Sequence, residues 1–239
     1  MIGCHNHTAY SNLRLLDCIN SVEDLIKTSA KLGYKGIAIT DHETLSAHVQ
    51  AIKKTRELKQ KGVIPEDFKI ILGNEIYLVD DIESVRENYQ PGITKFPHFL
   101  LISKDKKGHE QLRYLSSLAW SNGFYTGTME RVPTIKSDLE RVVKEDPNHL
   151  IATSACLGSE VNIHLLEIRE AEKTGNVEKA NFHRQKLNKF ILWCIDVFGK
   201  DNFFIELQPG LSDDQIYCNN KLIQIADYYG LKRIITTDT

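Results

Sequence analysis

Short, almost wholly apolar runs recur along the chain at residues 2–5, 36–40, 69–72, 98–103, 149–153, 203–207 and 233–237, each rich in Ile, Leu or Phe. Runs of that length with little polar alternation are the pattern of β-strands covered on both faces. Between them lie helical stretches at 21–32, 44–61, 108–121, 158–173, 177–198 and 214–229. The first has Ser21 at its N-cap, acidic residues in its first turn and Gly33 just past its end, each of which suits the unpaired groups of a helix terminus. The second closes in a basic run before Gly62, complementing the negative end of the helix dipole. This alternation predicts an α/β fold, a closed or nearly closed parallel barrel, with a doubly wound open sheet as the alternative. Residues 79–97 break the rhythm: no convincing helix is read there, and a long loop is predicted of the kind usually kept for function. With no repeat and no linker-like composition, residues 1–239 are expected to form one domain.

Composition narrows this picture only a little. At 41% hydrophobic and 26% charged, the chain is that of an ordinary globular domain with a full core. A net charge of −2 argues against an independent nucleic-acid clamp, while leaving nucleic acid open as a substrate delivered by another domain. No run of about 18 apolar residues predicts a membrane span, and the opening MIGCHNHTAY lacks the parts of an export signal. Cysteines 4, 18, 156, 194 and 218 are odd in number and form no CxxC pair. Reduced thiols and a cytoplasmic location are therefore expected.

The chemistry concentrates where strands are predicted to end. His5 and His7 close the first; two residues apart in extended chain, they point to one face and can converge on one ion. Asp41 and His42 follow the second, Glu75 the third, and Asp238 the last. Asp41 also reads as the N-cap of the next helix or as the group that orients an adjacent ligating histidine. Carboxyl ends of strands are where α/β barrels carry their catalytic groups. An imidazole and carboxylate set suits zinc, manganese or iron, and several ligands facing one cavity imply more than one ion. Paired ions activate a hydroxide and stabilise the leaving oxygen of a phosphoester, so the residues point to a metal-assisted hydrolase. His48, His109, His149, His164 and His183 have no partner at ligand spacing and read as surface or capping residues; for Tyr10, Trp120, Phe124 and Tyr125 core packing is the better reading than contact with a base.

The motifs HNHTAYSN (5–12), LLD (15–17), GIAITDH (36–42), ILGNEIYL (71–78), HFLLIS (98–103), TSACLGSEV (153–161), NFFIELQ (202–208) and IITTDT (234–239) stand in the order seen in PHP (polymerase and histidinol phosphatase) domains. The segments SACLGSE and DNFFIELQ look most like the branch that opens bacterial DNA polymerase III alpha subunits, of bacterial or phage origin. The resemblance covers essentially the whole chain. It implies a distorted seven-stranded β/α barrel holding up to three metal ions, Zn2+ first and Mn2+ or Fe2+ otherwise. It implies as ligands His5, His7, Asp17, His42, Glu75 as the bridging carboxylate, His98, Cys156 and Asp238. His98 begins a strand where the other ligands follow strands, so an antiparallel hairpin of the third and fourth strands is expected to bring it back to the ligand end. The interval from His7 to Asp17 is a few residues longer than in many relatives, and Thr239 stands where the chain is expected to be cut just before a closing histidine. The activity implied is 3′–5′ exonucleolytic removal of nucleotides from a DNA primer end, within a polymerase whose remaining chain is the partner. A noncatalytic metal-stabilised scaffold and a histidinol-phosphatase-like enzyme are the alternatives.

Overall fold

The computed structural model describes residues 1–14, 16 and 18–239. Strands β1 (Ile2–Gly3), β2 (Gly36–Ile39), β3 (Lys69–Val79), β4 (His98–Ser103), β8 (Leu150–Thr153), β9 (Phe203–Leu207) and β10 (Lys232–Ile235) form one curled sheet in that order. Between β4 and β8 come a small hairpin, β5 (Phe124–Thr126) with β6 (Met129–Arg131), and β7 (Thr134–Ile135), which pairs with the far end of β3. Helices α1 (Val22–Lys31), α2 (His48–Gln60), α3 (Ile82–Glu87), α4 (Lys106–Ser121), α5 (Lys136–Glu145), α6 (Glu160–Lys173), α7 (Val177–Phe198) and α8 (Asp213–Tyr229) fill the connections. The curled sheet and its helices make an α/β barrel, as the sequence implies. Its sheet is mixed: β3–β4 and β4–β8 are antiparallel, and the other pairs of the main sheet are parallel.

The antiparallel hairpin expected of the third and fourth strands is present, because β3 is far longer than its apolar start suggests. Gly73 and Asn74 read as a strand end, yet the strand runs through them to Val79. Gly73 marks a close approach rather than a stop: a Cβ there would lie 2.6 Å from the Leu101 carbonyl oxygen and 2.8 Å from the Thr40 methyl. Glu75 therefore sits inside β3, not beyond it. Facing residues of an antiparallel pair share a side of the sheet, so the register Tyr77–His98, Glu75–Leu100 and Gly73–Ile102 turns these positions, with five side chains, inward. Their neighbours Phe99 and Leu101 point outward into the main core, formed with Phe190, Ile191 and Phe198 of α7 and with Phe203 and Ile205 of β9. A second core joins α1 and α2 to β2 through Ile26, Ile37, Ile39, Ala51 and Leu58.

Two further expectations are corrected and one unassigned stretch is filled. Residues 79–97 contain α3, capped by the Asp81 carboxylate accepting from the Ser84 amide; six residues are too few to show helical periodicity. Residues 122–145, unassigned from sequence, hold β5, β6, β7 and α5. Helix α2 starts at His48, not at residue 44, so Asp41 does not cap it. No helix among the described residues is long and apolar enough to cross a membrane.

Candidate metal centre

Although β1 ends at Gly3, the chain stays extended and stitched to the end of β2. The Asn6 amide donates to Thr40 Oγ1 at 2.9 Å and the Thr40 amide to the Asn6 carbonyl at 2.9 Å; the Asn6 side chain donates to the Ala38 carbonyl at 2.9 Å. With Asn6 turned to β2, His5 and His7 fall on the other face together, as their spacing predicts. Both meet Glu75, which is wholly buried. His5 Nε2 is 3.5 Å from Glu75 Oε1 and His7 Nε2 is 3.3 Å from Oε2. His42 Nδ1 lies 2.8 Å from Oε2, and His98 Nδ1 2.9 Å from Oε1. Asp238 Oδ1 closes one side, 3.4 Å from His5 Nε2 and 3.1 Å from His7 Nε2. Cys156 Sγ closes the other, 3.3 Å from His98 Nδ1 and 3.7 Å from Glu75 Oε1. Gly158 lets this corner pack: its Cβ would come 3.2 Å from the His98 ring. The structure thus brings together His5, His7, His42, Glu75, His98, Cys156 and Asp238. Asp17 lies outside the described residues.

Two groups among the described residues can each hold an ion, His5–His7–Glu75 and His42–Glu75–His98, and they share Glu75. The hydrogen bonds behind the imidazoles fix which nitrogen faces inward. His5 Nδ1 lies 2.7 Å from Glu206 Oε1, and an ionised carboxylate only accepts, so Nδ1 carries the proton. Ser11 Oγ gives its single proton to Asp41 Oδ1 at 2.8 Å and receives the His42 amide at 3.2 Å. It therefore accepts from His7 Nδ1, also 3.2 Å away. Both Nε2 atoms are left as lone-pair donors; buried, they have no hydrogen-bond partner among the described residues, and neither has Glu75 Oε2. Electron-rich atoms crowded at 3.1–3.5 Å repel unless a cation joins them, so the donor set fits metal ions.

Without a cation, protons must play that part. Burial alone would lower the His5 pKa, but Glu206 and Glu75 override it and hold it well above its ordinary 6.5. Burial opposes ionisation of Glu75 as well, and His5 and His98 override it, so its pKa lies well below the ordinary carboxylate value. The Cys156 thiol is pushed well up, by burial first and then by the charges of Glu75 and Asp238.

Glu206 escaped the sequence reading. Its one signal is a carboxylate inside the apolar run Phe203–Leu207; wholly enclosed, it accepts from Thr236 Oγ1 at 2.5 Å, from Thr153 Oγ1 and from Gln208 Nε2 at 3.1 Å. Asp41 is placed differently from expectation. It accepts from the Thr8 amide at 2.6 Å and from the Thr8 and Ser11 hydroxyls, so it acts on His7 through Ser11 rather than on its neighbour His42. Among the remaining histidines, His48 is buried, its Nε2 2.9 Å from the Gly73 carbonyl and its Nδ1 3.1 Å from His109 Nε2. His149 sits against the α4 N-cap, Asp105, at 2.7 Å. His164 and His183 pair across α6 and α7 at 3.0 Å.

The PHP domain model matches residues 3–210. The chain belongs to the PHP domain family. Among curated proteins this PHP chain is 65% identical over its whole length to "Probable DNA polymerase YorL" of Bacillus subtilis (strain 168) and to "DNA-directed DNA polymerase" of Bacillus phage SPbeta. It is 32% identical over 98% of its length to the DNA polymerase III subunit alpha of Helicobacter pylori (strain ATCC 700392 / 26695), covering 17% of that protein. It spans 18% of the length of the two 65% relatives. Among solved structures, a candidate metal-dependent phosphoesterase from Bifidobacterium adolescentis aligns over 99% of this chain and 86% of its own, with a TM-score of 0.51 and 15% identity. An amidohydrolase from Chromobacterium violaceum aligns over the same shares with a TM-score of 0.52 and 12% identity. Both likenesses carry the fold alone.

Proposed function

We propose that this PHP domain is a metal-dependent phosphodiesterase that trims DNA from the 3′ end, working as one part of a DNA polymerase chain. The observation that carries the reading is the pair of metal-fitting groups sharing Glu75, with the two Nε2 lone pairs fixed inward by Glu206 and Ser11. His5, His7, His42, Glu75, His98, Cys156 and Asp238 would hold the ions, with Asp17 completing the set; Glu75 would bridge two of them. Up to three ions are proposed, zinc foremost for the imidazole and thiol donors, manganese or iron otherwise. When bound, such ions lower the pKa of water to a nucleophilic hydroxide and stabilise the departing oxygen of a phosphodiester. The chain's own share is to present those donors without hydrogens and to hold the His5 and His7 rings in that tautomer through Glu206 and Ser11.

Openness favours turnover over a purely structural role, because structural metal sites are closed and catalytic ones keep an accessible position. The Glu75 and His5 side chains are fully enclosed, whereas 21% of His98 faces solvent. The strong identity to polymerase relatives supports DNA as substrate and the remaining polymerase as partner. The test is the metal-reconstituted chain on 5′-labelled single-stranded DNA. Metal-dependent shortening from the 3′ end is expected. Metal-loaded protein that leaves DNA intact would favour the scaffold role, and brisk hydrolysis of small phosphate monoesters the phosphatase.

A further inference from the structure

Beside the metal centre, the tip of the β5–β6 hairpin faces the 3₁₀ turn Ala9–Leu13 across a groove of about 380 Å³, lined by Leu13, Arg14, Tyr125, Thr128, Met129 and Glu130. Arg14 fixes this groove to the centre. Its guanidinium donates to the Glu130 carbonyl of the hairpin at 2.6 Å and to Glu43 Oε2 at 3.3 Å, and it lies 5.0 Å from the centre of the Trp120 ring. Glu43 follows His42 directly and its amide donates to the Glu75 carbonyl at 2.8 Å. Glu43 holds a left-handed backbone, φ 50°, which a non-glycine residue adopts at some energetic cost. The groove is therefore tied to the same turn that carries His42.

Tyr125 stands out within it. The residue is 70% exposed, and among the described residues its ring stacks on nothing and its hydroxyl makes no hydrogen bond. Leu13 opposite is 63% exposed. Arg14 is matched by Glu43, and Glu130 adds a carboxylate at the rim, so what the groove offers a ligand is a flat aromatic face rather than positive charge. A face of that kind suits a nucleobase, since every base has a π-surface and stacks without regard to sequence.

We propose that this groove receives one nucleotide of a single-stranded nucleic acid, its base stacked on Tyr125, next to the bond cut at the metal centre. The inference rests on the phosphodiesterase reading and adds to it a strand-holding site and a preference for unpaired ends. Arg14 is a positioning residue that holds the hairpin, and Tyr125 is the group that touches the strand.

The experiment compares the 239-residue chain with Tyr125→Ala and Tyr125→Phe. Fluorescence anisotropy of labelled oligo(dT), with metal removed to prevent cutting, should show about tenfold weaker binding for Tyr125→Ala, the size of one lost base stack. Tyr125→Phe should bind like the parent. All three, metal-loaded, should hydrolyse bis(p-nitrophenyl) phosphate equally, because that diester is too short to need the groove. Equal binding by the parent and Tyr125→Ala, or no binding by the parent, overturns the groove. Failure of the metal-loaded parent on the small diester overturns the phosphodiesterase reading instead, and the anisotropy comparison still judges the groove.

Discussion

Ser11 carries one hydroxyl proton and two lone pairs, and the site uses all three: the proton goes to Asp41, the lone pairs receive His7 and the His42 amide. Removing the hydroxyl frees the His7 ring to turn and leaves Asp41, among the described residues, with the Thr8 donors alone. Groups that orient metal ligands typically contribute about 10–100-fold in affinity, so Ser11→Ala should weaken metal binding by about that much in a chelator competition, with an unchanged circular dichroism spectrum. Glu206→Gln should act likewise through His5. Protons compete for the same lone pair. Because the pKa of His5 is held above 6.5 in the metal-free protein, metal must displace its proton at neutral pH. Metal affinity should rise with pH as that proton is lost; a pH-independent affinity in the same competition assay would remove His5 from the site. His5, His7, His42 and Glu75 were legible because each follows or ends an apolar run. Ser11, Thr8 and Glu206 were not, since a hydroxyl that sits behind a ligating histidine, or a carboxylate among Phe and Ile, carries no spacing of its own.

At the scale of elements, the β3–β4 hairpin does most to assemble the centre, because its register sends Glu75 and His98 inward from opposite directions. Gly73 makes the approach possible. Gly73→Ala should destabilise the fold by about 1–3 kcal/mol through overpacking against Leu101 and Thr40, measured by urea unfolding, and should lower metal content as the hairpin shifts. Next to it, burial drops the His48 pKa to about 4 from the ordinary 6.5. A folded state that binds fewer protons than the unfolded chain loses stability as pH falls, here between 6.5 and 4, by up to about 3 kcal/mol. His48→Asn should flatten that part of the urea-unfolding profile relative to the parent; identical pH slopes would contradict the assignment. The hairpin itself was inferred from where His98 falls, but the length of β3 was hidden by Gly73 and Asn74, whose turn-forming chemistry is overridden by packing. The hairpin of β5 and β6 stayed invisible, as strands of three residues show no periodicity.

Across the whole molecule, the donors come from both edges of the sheet and its middle: the chain after β1, the turn after β2, β3, β4, the turn after β8 and the chain after β10. Bound ions would tie these segments together as cross-links. An ion held at about 1,000 times its dissociation constant adds about 4 kcal/mol to folding, and for a domain of this size each kcal/mol moves Tm by about 2–4 °C. Metal removal should therefore lower Tm by roughly 10 °C or more, read by calorimetry with and without chelator. Global architecture was largely legible, because strand and helix patterns alternate and the motif order is that of the PHP family; the mixed direction of the sheet followed only from a single histidine. The most direct test of the centre is elemental analysis of the reconstituted chain beside Glu75→Gln. A site built around a shared carboxylate predicts more than one equivalent of zinc, manganese or iron in the parent and a clear drop in Glu75→Gln with the fold retained. No bound metal in the parent, or the same content in both proteins, would contradict it.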